Sequence, residues 1–205
     1  MGYREVNWSL PRERQVLLAR QNIYDGTWNK TPSMGWMFVP LVQYHGGGVA
    51  ATLEPLREHL DFYGQHLMQN FSSGVQACYR GPRLYDSEET RAVVKKWVDF
   101  YKKHREILES DVIHLRRPDG RDWDGLLHVN PGLEEKGLAV IHNPLAEPLT
   151  RTIRLPLYYT GLAEWATIQI GDGPARRYPI GRDNSVAVEI QVPAGGAVFI
   201  AVKGG

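Results

Sequence analysis

Two short polar stretches carry side chains that can bind a polar ligand, and each lies at the end of an apolar run. The first follows WMFVPLV, and the second closes the run GVQACY. Amide, phenol, imidazole and guanidinium groups in such places can hydrogen bond to hydroxyls, carboxylates or phosphates. The candidate binding residues in these two stretches are Gln43, Tyr44, His45, Tyr79, Arg80 and Arg83.

The first stretch continues into three glycines, and His-Gly-Gly-Gly is also found in the oxyanion loop of lipases. A lipase needs a G-x-S-x-G nucleophile turn later in the chain, and the sequence has none. The nearest stretch, TPSMG around Ser33, begins with Thr31 and precedes the glycines. We therefore interpret the glycines as residues that let the backbone turn sharply and expose its amides.

Other readings are open for several candidates. Arg80 or Arg83 can pair with Asp86 or a neighbouring acid and so only anchor the loop. Glu5 precedes the first predicted helix and is either a general acid, a sugar ligand or a solvated acid near the N-terminus. Aromatic rings can stack on a sugar or fill a core. This applies to Trp8 and to Trp36, for which a core position is at least as good an explanation.

Several kinds of chemistry find little support. Glycoside hydrolysis usually needs two carboxylates, and Glu5, Glu54 and Asp86 do not make a convincing pair. The seven histidines show no metal-ligand spacing, and the single cysteine, Cys78, excludes a disulfide. No cofactor is implied.

The composition argues against some classes of binding partner. The net charge of +1 does not favour nucleic acid, and no segment approaches the roughly 18–20 apolar residues of a membrane span. The opening MGYREVNWSLPRER lacks the apolar region of a signal peptide. Localisation is left undetermined, because a longer protein could still be exported.

Residues 1–110 alternate between helical and strand patterns, in the order α–β–α–β–α. Thr52 is the predicted cap of a helix over TLEPLREHLDFYGQHLMQN, and Asp86 with Glu89 the predicted capping pair of the last helix. Two successive strand–helix units predict a parallel sheet with covering helices. The carboxyl ends of such strands form the ligand-binding face.

In residues 111–205 the apolar residues follow a different spacing. Short apolar runs recur between turn signals such as NPG, GRDN and PAGG, which predicts an antiparallel β-sandwich of about eight strands. The runs are VIHLRR, GLLHVN, LAVIHN, RTIRLPLYY, ATIQI, RRYPI, VAVEIQV and AVFIAVK.

The first part is short for an independent domain. Two parallel strands make too small a sheet, and a complete (β/α)₈ barrel needs about 250 residues. We therefore expect residues 1–110 to be the last βα units of a TIM-type barrel. A missing N-terminal segment or another chain would then complete the sheet.

The segments WMFVPLVQYHGGG, GVQACYRGPRLYD and VVKKWVDFYKKHREILESDVIHLRRPDGRDWDGLLHVNP resemble the C-terminal end of α-galactosidase-like glycoside hydrolases, as do LPLYYTGL and VPAGGAVFIAVK. The resemblance implies a TIM barrel followed by a β-sandwich, with carbohydrate as the partner. It also implies that the main catalytic carboxylates lie upstream of Met1. The polar stretches would then shape the sugar subsite.

Two alternatives stay open. The chain could be a non-catalytic carbohydrate-binding or structural module, which would bind sugar through exposed aromatic residues of the second part. The candidates for this are Trp123, Tyr158, Tyr159 and Trp165. It could also be an assembly partner that completes the sheet of another chain.

Overall fold

The computed structural model describes residue 7, residues 9–42 and residues 51–205. The chain divides into two compact units, Met1–Arg105 and Glu106–Gly205, which we call the α/β unit and the sandwich unit. In the described part of the chain, no helix combines the length and the apolar character needed to cross a membrane.

The α/β unit contains the expected alternation of helices and strands. Its elements are α1 (Arg12–Gly26), β1 (Trp36–Pro40), α2 (Leu60–Ser72), β2 (Gln76–Arg80) and α3 (Glu88–Lys103). β1 and β2 pair in parallel, with Trp36 opposite Gln76 and Pro40 opposite Arg80. The predicted parallel pairing is therefore confirmed.

The apolar core of this unit lies between α1 and the two strands. Ala19 and Ile23 of α1 pack with Met37 and Phe38 of β1 and with Val75. On α2, Asn70 donates a side-chain hydrogen bond to the backbone oxygen of Met37 at 3.3 Å. Helix α2 therefore contacts β1 directly, in keeping with a strand covered by helices.

The start of α2 differs from the prediction. The helix begins at Leu60 rather than near Thr52, and a short 3₁₀ turn over Leu56–His59 precedes it. Leu53 and Glu54 instead donate backbone hydrogen bonds to Pro40 and Leu41 at 2.9 and 2.8 Å. Backbone pairing at the end of β1 thus uses residues that the local pattern assigned to a helix.

The cap of α3 is shifted by one residue from the prediction. Ser87 is the N-cap: its hydroxyl accepts from the Thr90 backbone N–H at 3.2 Å, and the Thr90 hydroxyl accepts from Ser87 N–H at 3.0 Å. Asp86 instead accepts a hydrogen bond from the backbone of Arg57, also at 3.2 Å. A capping box is present, and Ser87 with Thr90 forms it rather than Asp86 with Glu89.

After a short helix α4 (Arg105–Leu108), the sandwich unit contains eight strands, one for each predicted run. They are β3 (Asp111–Arg116), β4 (Asp124–Val129), β5 (Glu135–His142), β6 (Leu149–Pro156), β7 (Trp165–Ile170), β8 (Arg176–Pro179), β9 (Ser185–Val192) and β10 (Ala197–Gly204). Six strands form an antiparallel sheet in the order β3-β4-β5-β10-β7-β8, and β6 pairs with β9 in a second sheet.

The two sheets share one apolar core. Along β9, Val186, Val188 and Ile190 are buried and the residues between them are exposed. They pack with Ile153 of β6 and with side chains of the larger sheet such as Ile200. This period of two follows from the alternating direction of side chains in a strand. The β-sandwich part of the predicted fold class is therefore confirmed.

Candidate functional site at the carboxyl ends of β1 and β2

The parallel register places the carboxyl ends of β1 and β2 next to each other. Beyond the last register pair, the backbone N–H groups of Leu41 and Val42 both donate to the carbonyl of Arg80, at 3.1 and 3.0 Å. Leu53 and Glu54 also bond to the end of β1, through the hydrogen bonds described above. Val42, which precedes the first predicted polar stretch, and Arg80, which belongs to the second, therefore lie at the same end of the two strands.

Five of the predicted site residues lie outside the described part of the chain. They are Glu5, Trp8, Gln43, Tyr44 and His45. The structure describes Val42, the residue that precedes Gln43, Tyr44 and His45 in the chain.

Arg83 pairs with Glu54 at this end of the strands. Its Nε and Nη2 atoms donate to the two carboxylate oxygens at 3.0 and 2.8 Å, a side-on bidentate pair. The hydrogen bonds and charge of Glu54 raise the pKa of Arg83. The sequence suggested Asp86 or a neighbouring acid as the partner of an arginine here, and Glu54 fills that role. The pair joins the segment that follows β1 to the loop that follows β2.

Two further contacts hold the loop after β2. The buried Tyr63 of α2 donates its hydroxyl to the carbonyl of Leu84 at 2.6 Å. Asp86 receives the hydrogen bond from Arg57. Although burial raises the pKa of Asp86, hydrogen bonds from Arg57 and Thr90 outweigh it and lower that pKa. The Asp86 carboxyl is therefore ionised at neutral pH.

Gly81 allows the loop to pass close to the chain after β1. A Cβ atom at this position would lie 2.4 Å from Cβ of Leu41, which is fully buried. No side chain fits in that distance, so the loop takes its path only because residue 81 is glycine. The local sequence YRGPR marks a turn but gives no sign of this contact.

Tyr79 and Arg80 are neighbours within β2, so their side chains leave opposite faces of the sheet. The Arg80 guanidinium lies over the ring of Phe38, 3.9 Å from its centroid. Trp36 packs edge-on against the same Phe38 ring, with the centroids 4.7 Å apart. Trp36 therefore packs at the rim of the unit's core.

Tyr79 instead lies on the side of Tyr63. Burial, and next the Tyr79 phenol, raise the pKa of Tyr63 well above its usual range. Burial raises the pKa of Tyr79 to about 12. Both phenols are therefore neutral at physiological pH and can donate hydrogen bonds. Of the described candidates, Arg80 and Arg83 carry the charge at this end of the strands.

In the sandwich unit, the four aromatic candidates differ in exposure. Trp123 packs against the core, and the Arg177 guanidinium lies 4.5 Å from the ring of Trp165. Tyr158 and Tyr159 are 67% and 64% exposed, and their rings stand perpendicular with centroids 5.2 Å apart. Trp165 is 40% exposed, so the tyrosine pair is the most exposed aromatic surface among these four. Within the described residues, no cluster of three or more His, Cys, Asp or Glu could hold a metal ion.

No protein-family model matches the sequence, and no curated protein sequence matches it. Solved structures do match. The GH36 α-galactosidase AgaA from Geobacillus stearothermophilus is 19% identical and covers 91% of this chain, with a TM-score of 0.58. The galactosidase domain of the α-galactosidase-sucrose kinase AgaSK is 17% identical over 92% of this chain, again with a TM-score of 0.58.

A GH27 β-L-arabinopyranosidase from the same bacterium matches over 95% of this chain at 9% identity, with a TM-score of 0.57. The chain spans 24% of the length of the AgaA and AgaSK chains and 43% of the GH27 chain. At these identities the likeness concerns the fold. The resemblance that the sequence predicted is confirmed at that level: the chain has the fold of the C-terminal part of α-galactosidase-like glycoside hydrolases.

Proposed function

We propose that this chain is the C-terminal part of a glycoside hydrolase, in which it supplies sugar-binding residues and a supporting β-sandwich. The observation that carries the proposal is the shared fold together with the polar edge at the ends of β1 and β2. The GH36 structures include AgaA variants in complex with raffinose and stachyose. A GH27 structure contains arabinose. The substrate class is accordingly a neutral sugar.

On this proposal, residues 1–110 are the closing βα units of a TIM-type barrel, and residues 111–205 are the sandwich domain. The outer edge of β2 supports the need for further strands. Gln76 N–H and Arg80 C=O bond toward β1, so the backbone groups of Ala77 and Tyr79 point the other way. Among the described residues, no strand pairs with them. A further segment of the protein, or another chain, completes the sheet there.

On this proposal, the catalytic carboxylates are not among the described residues at the carboxyl ends of β1 and β2. The two acids there are already engaged, Glu54 with Arg83 and Asp86 with Arg57 and Thr90. A general acid must be able to hold a proton near neutral pH, whereas the pKa of Asp86 is lowered. The role of this chain is therefore to bind hydroxyls and shape the subsite. Within this chain, Glu5 is the one candidate for a catalytic acid, and it is a weak one.

The binding residues on this proposal are Gln43, Tyr44, His45, Tyr79, Arg80, Arg83 and Trp8. Arg80 is the most direct test, because its side chain shares a sheet face with the aromatic pair Trp36 and Phe38. A guanidinium held in this place can bond to the hydroxyls of a sugar.

The experiment is a titration of the purified chain with raffinose, stachyose and arabinose, followed by NMR because one part of a cleft binds weakly. We expect millimolar binding of at least one sugar and roughly tenfold weaker binding by Arg80→Ala, about the effect of losing one charged hydrogen bond. Arg91→Ala, which removes an exposed arginine of α3, is the control and should bind normally. Unchanged binding by Arg80→Ala, or no binding of any of the three sugars, contradicts the proposal.

A second candidate function is a sugar-binding module that uses Tyr158 and Tyr159. Their exposure favours it, since paired open rings can stack against a pyranose. This function predicts that Tyr158→Ala weakens binding and Arg80→Ala does not. The same titration therefore separates the two.

A further inference from the structure

We propose that Glu54 is a positioning residue: it fixes the guanidinium of Arg83 so that one N–H of Nη1 and the remaining N–H of Nη2, which are parallel, face adjacent hydroxyls of the sugar. This inference rests on the proposed function and adds to it a residue and a hydrogen-bonding geometry. The argument starts from the geometry of the ion pair.

The bond to Glu54 is made through Nε and Nη2, which are two of the three guanidinium nitrogens. A side-on pair of this kind fixes the plane of the guanidinium group as well as its place. Nη1 takes no part in it, and the described residues provide no other partner for it. The Arg83 side chain is 51% exposed, whereas that of Glu54 is 15% exposed. The carboxylate of Glu54 is therefore the more buried partner, and the guanidinium of Arg83 is the partner exposed to solvent.

The segment that carries Glu54 is held at several points. The backbone N–H of Glu54 bonds to Leu41 at 2.8 Å. The Nδ1 atom of His59 lies 3.1 Å from the carbonyl oxygens of both Leu53 and Pro55, the two neighbours of Glu54 in the chain. Its carboxylate therefore projects from a fixed backbone at the carboxyl end of β1.

Stability alone is a poor reason for this arrangement, because exposed ion pairs contribute little to folding. The loop after β2 already has two other anchors, the hydrogen bonds from Tyr63 to Leu84 and from Arg57 to Asp86. An arginine oriented from behind by a carboxylate has the geometry used to recognise paired oxygen atoms. Adjacent hydroxyls of a pyranose offer such a pair.

The test uses raffinose as the probe and the intact chain. We expect Glu54→Gln and Arg83→Ala each to weaken raffinose binding about threefold to tenfold. Because both act through one guanidinium, the double variant should bind no worse than Arg83→Ala alone. Glu54→Asp keeps the charge and should recover part of the affinity. Glu88→Gln, which breaks the comparable pair with Arg91 on α3, is the matched control and should bind as the parent chain does.

The outcomes are distinct. If Arg80→Ala weakens binding and Glu54→Gln does not, the positioning role is wrong and the proposed function stands. If Glu54→Gln lowers the unfolding midpoint without changing affinity, the ion pair only anchors the loop, and the inference is again overturned. If Arg80→Ala leaves binding unchanged, the proposed function itself fails.

Discussion

The sandwich unit and the described part of the α/β unit differ in how many paired strands surround their apolar cores. The sandwich pairs eight strands in two sheets around one continuous apolar core. The α/β unit has two paired strands among its described residues, and the ion pair of Arg83 with Glu54 lies at their carboxyl ends. The difference fits the proposed function, in which the α/β unit binds the sugar and the sandwich unit supports it.

The largest effect that sharpens this comparison comes from the sandwich core. Ile153 is fully buried there, so Ile153→Ala should lower the free energy of unfolding of the sandwich unit by about 2–5 kcal/mol. Chemical denaturation followed by NMR signals of each unit measures it. Thr152→Ala, an exposed change on the same strand, is the control. A loss below about 1 kcal/mol for Ile153→Ala would argue against a packed core at this position.

Acid should destabilise the two units at different pH values, and this is the next largest effect. Burial, and then the nearby Arg20, lowers the pKa of His66 to about 3. In the unfolded chain this histidine takes up a proton near pH 6.5, so the stability that comes from burying His66 in its neutral form is complete above that pH. It should fall by up to about 1.4 kcal/mol per pH unit as the pH drops toward 3.

In the sandwich unit, hydrogen bonding to Arg116 lowers the pKa of Asp119 to about 2. The stability from this pair is complete above the ordinary Asp pKa near 4 and is lost as the pH falls toward 2. The α/β unit should therefore lose stability at a higher pH than the sandwich. Unfolding of each unit across pH 3–7 checks this, and His66→Gln should flatten the profile of the α/β unit. Equal profiles for His66→Gln and the parent chain would show that His66 is not the cause.

The loop after β2 gives a smaller effect. Gly81→Ala would force a contact with Leu41 at 2.4 Å, so it should destabilise the α/β unit by about 1–3 kcal/mol. Gly64→Ala on α2 is the matched control, because its new Cβ would meet only Val93 of α3, at 3.5 Å, which is an ordinary contact distance. That change should be neutral or stabilising by up to about 1 kcal/mol. Similar unfolding midpoints for the two variants would mean that the loop does not pass so close to Leu41.

The smallest effect is expected at the cap of α3. Ser87→Ala removes the hydroxyl that accepts from Thr90 and should cost about 1 kcal/mol, seen as a lower unfolding midpoint of the α/β unit. Glu89→Ala tests the alternative pairing of Asp86 with Glu89. A larger loss for Glu89→Ala than for Ser87→Ala would restore that alternative.

What could be predicted from the sequence follows the same division. The sandwich strands were predictable because alternation along each strand is a local signal, as in VAVEIQV. The site was predictable only as far as the positions of Arg80 and Arg83 at the end of an apolar run. The pairing of Arg83 with Glu54 joins residues that are 29 apart in sequence. No local pattern reports such a contact.

The start of α2 shows why the rest was missed. Leu53 and Glu54 lie in a segment with helical spacing, yet their backbone groups bond to the end of β1. Tertiary pairing overrides a weak local preference in such cases. Likewise, the contact of Gly81 with Leu41 depends on two segments that meet only in the folded unit.

The measurement that tests the central claim most directly is a map of raffinose binding on the chain by amide chemical-shift changes. The account predicts that the affected signals cluster at the carboxyl ends of β1 and β2, including Val42, Glu54, Arg80 and Leu84. It also predicts that the signals of Tyr158 and Tyr159 stay in place. Shifts confined to the tyrosine pair, with the strand ends unchanged, would contradict the account and move the sugar site to the sandwich.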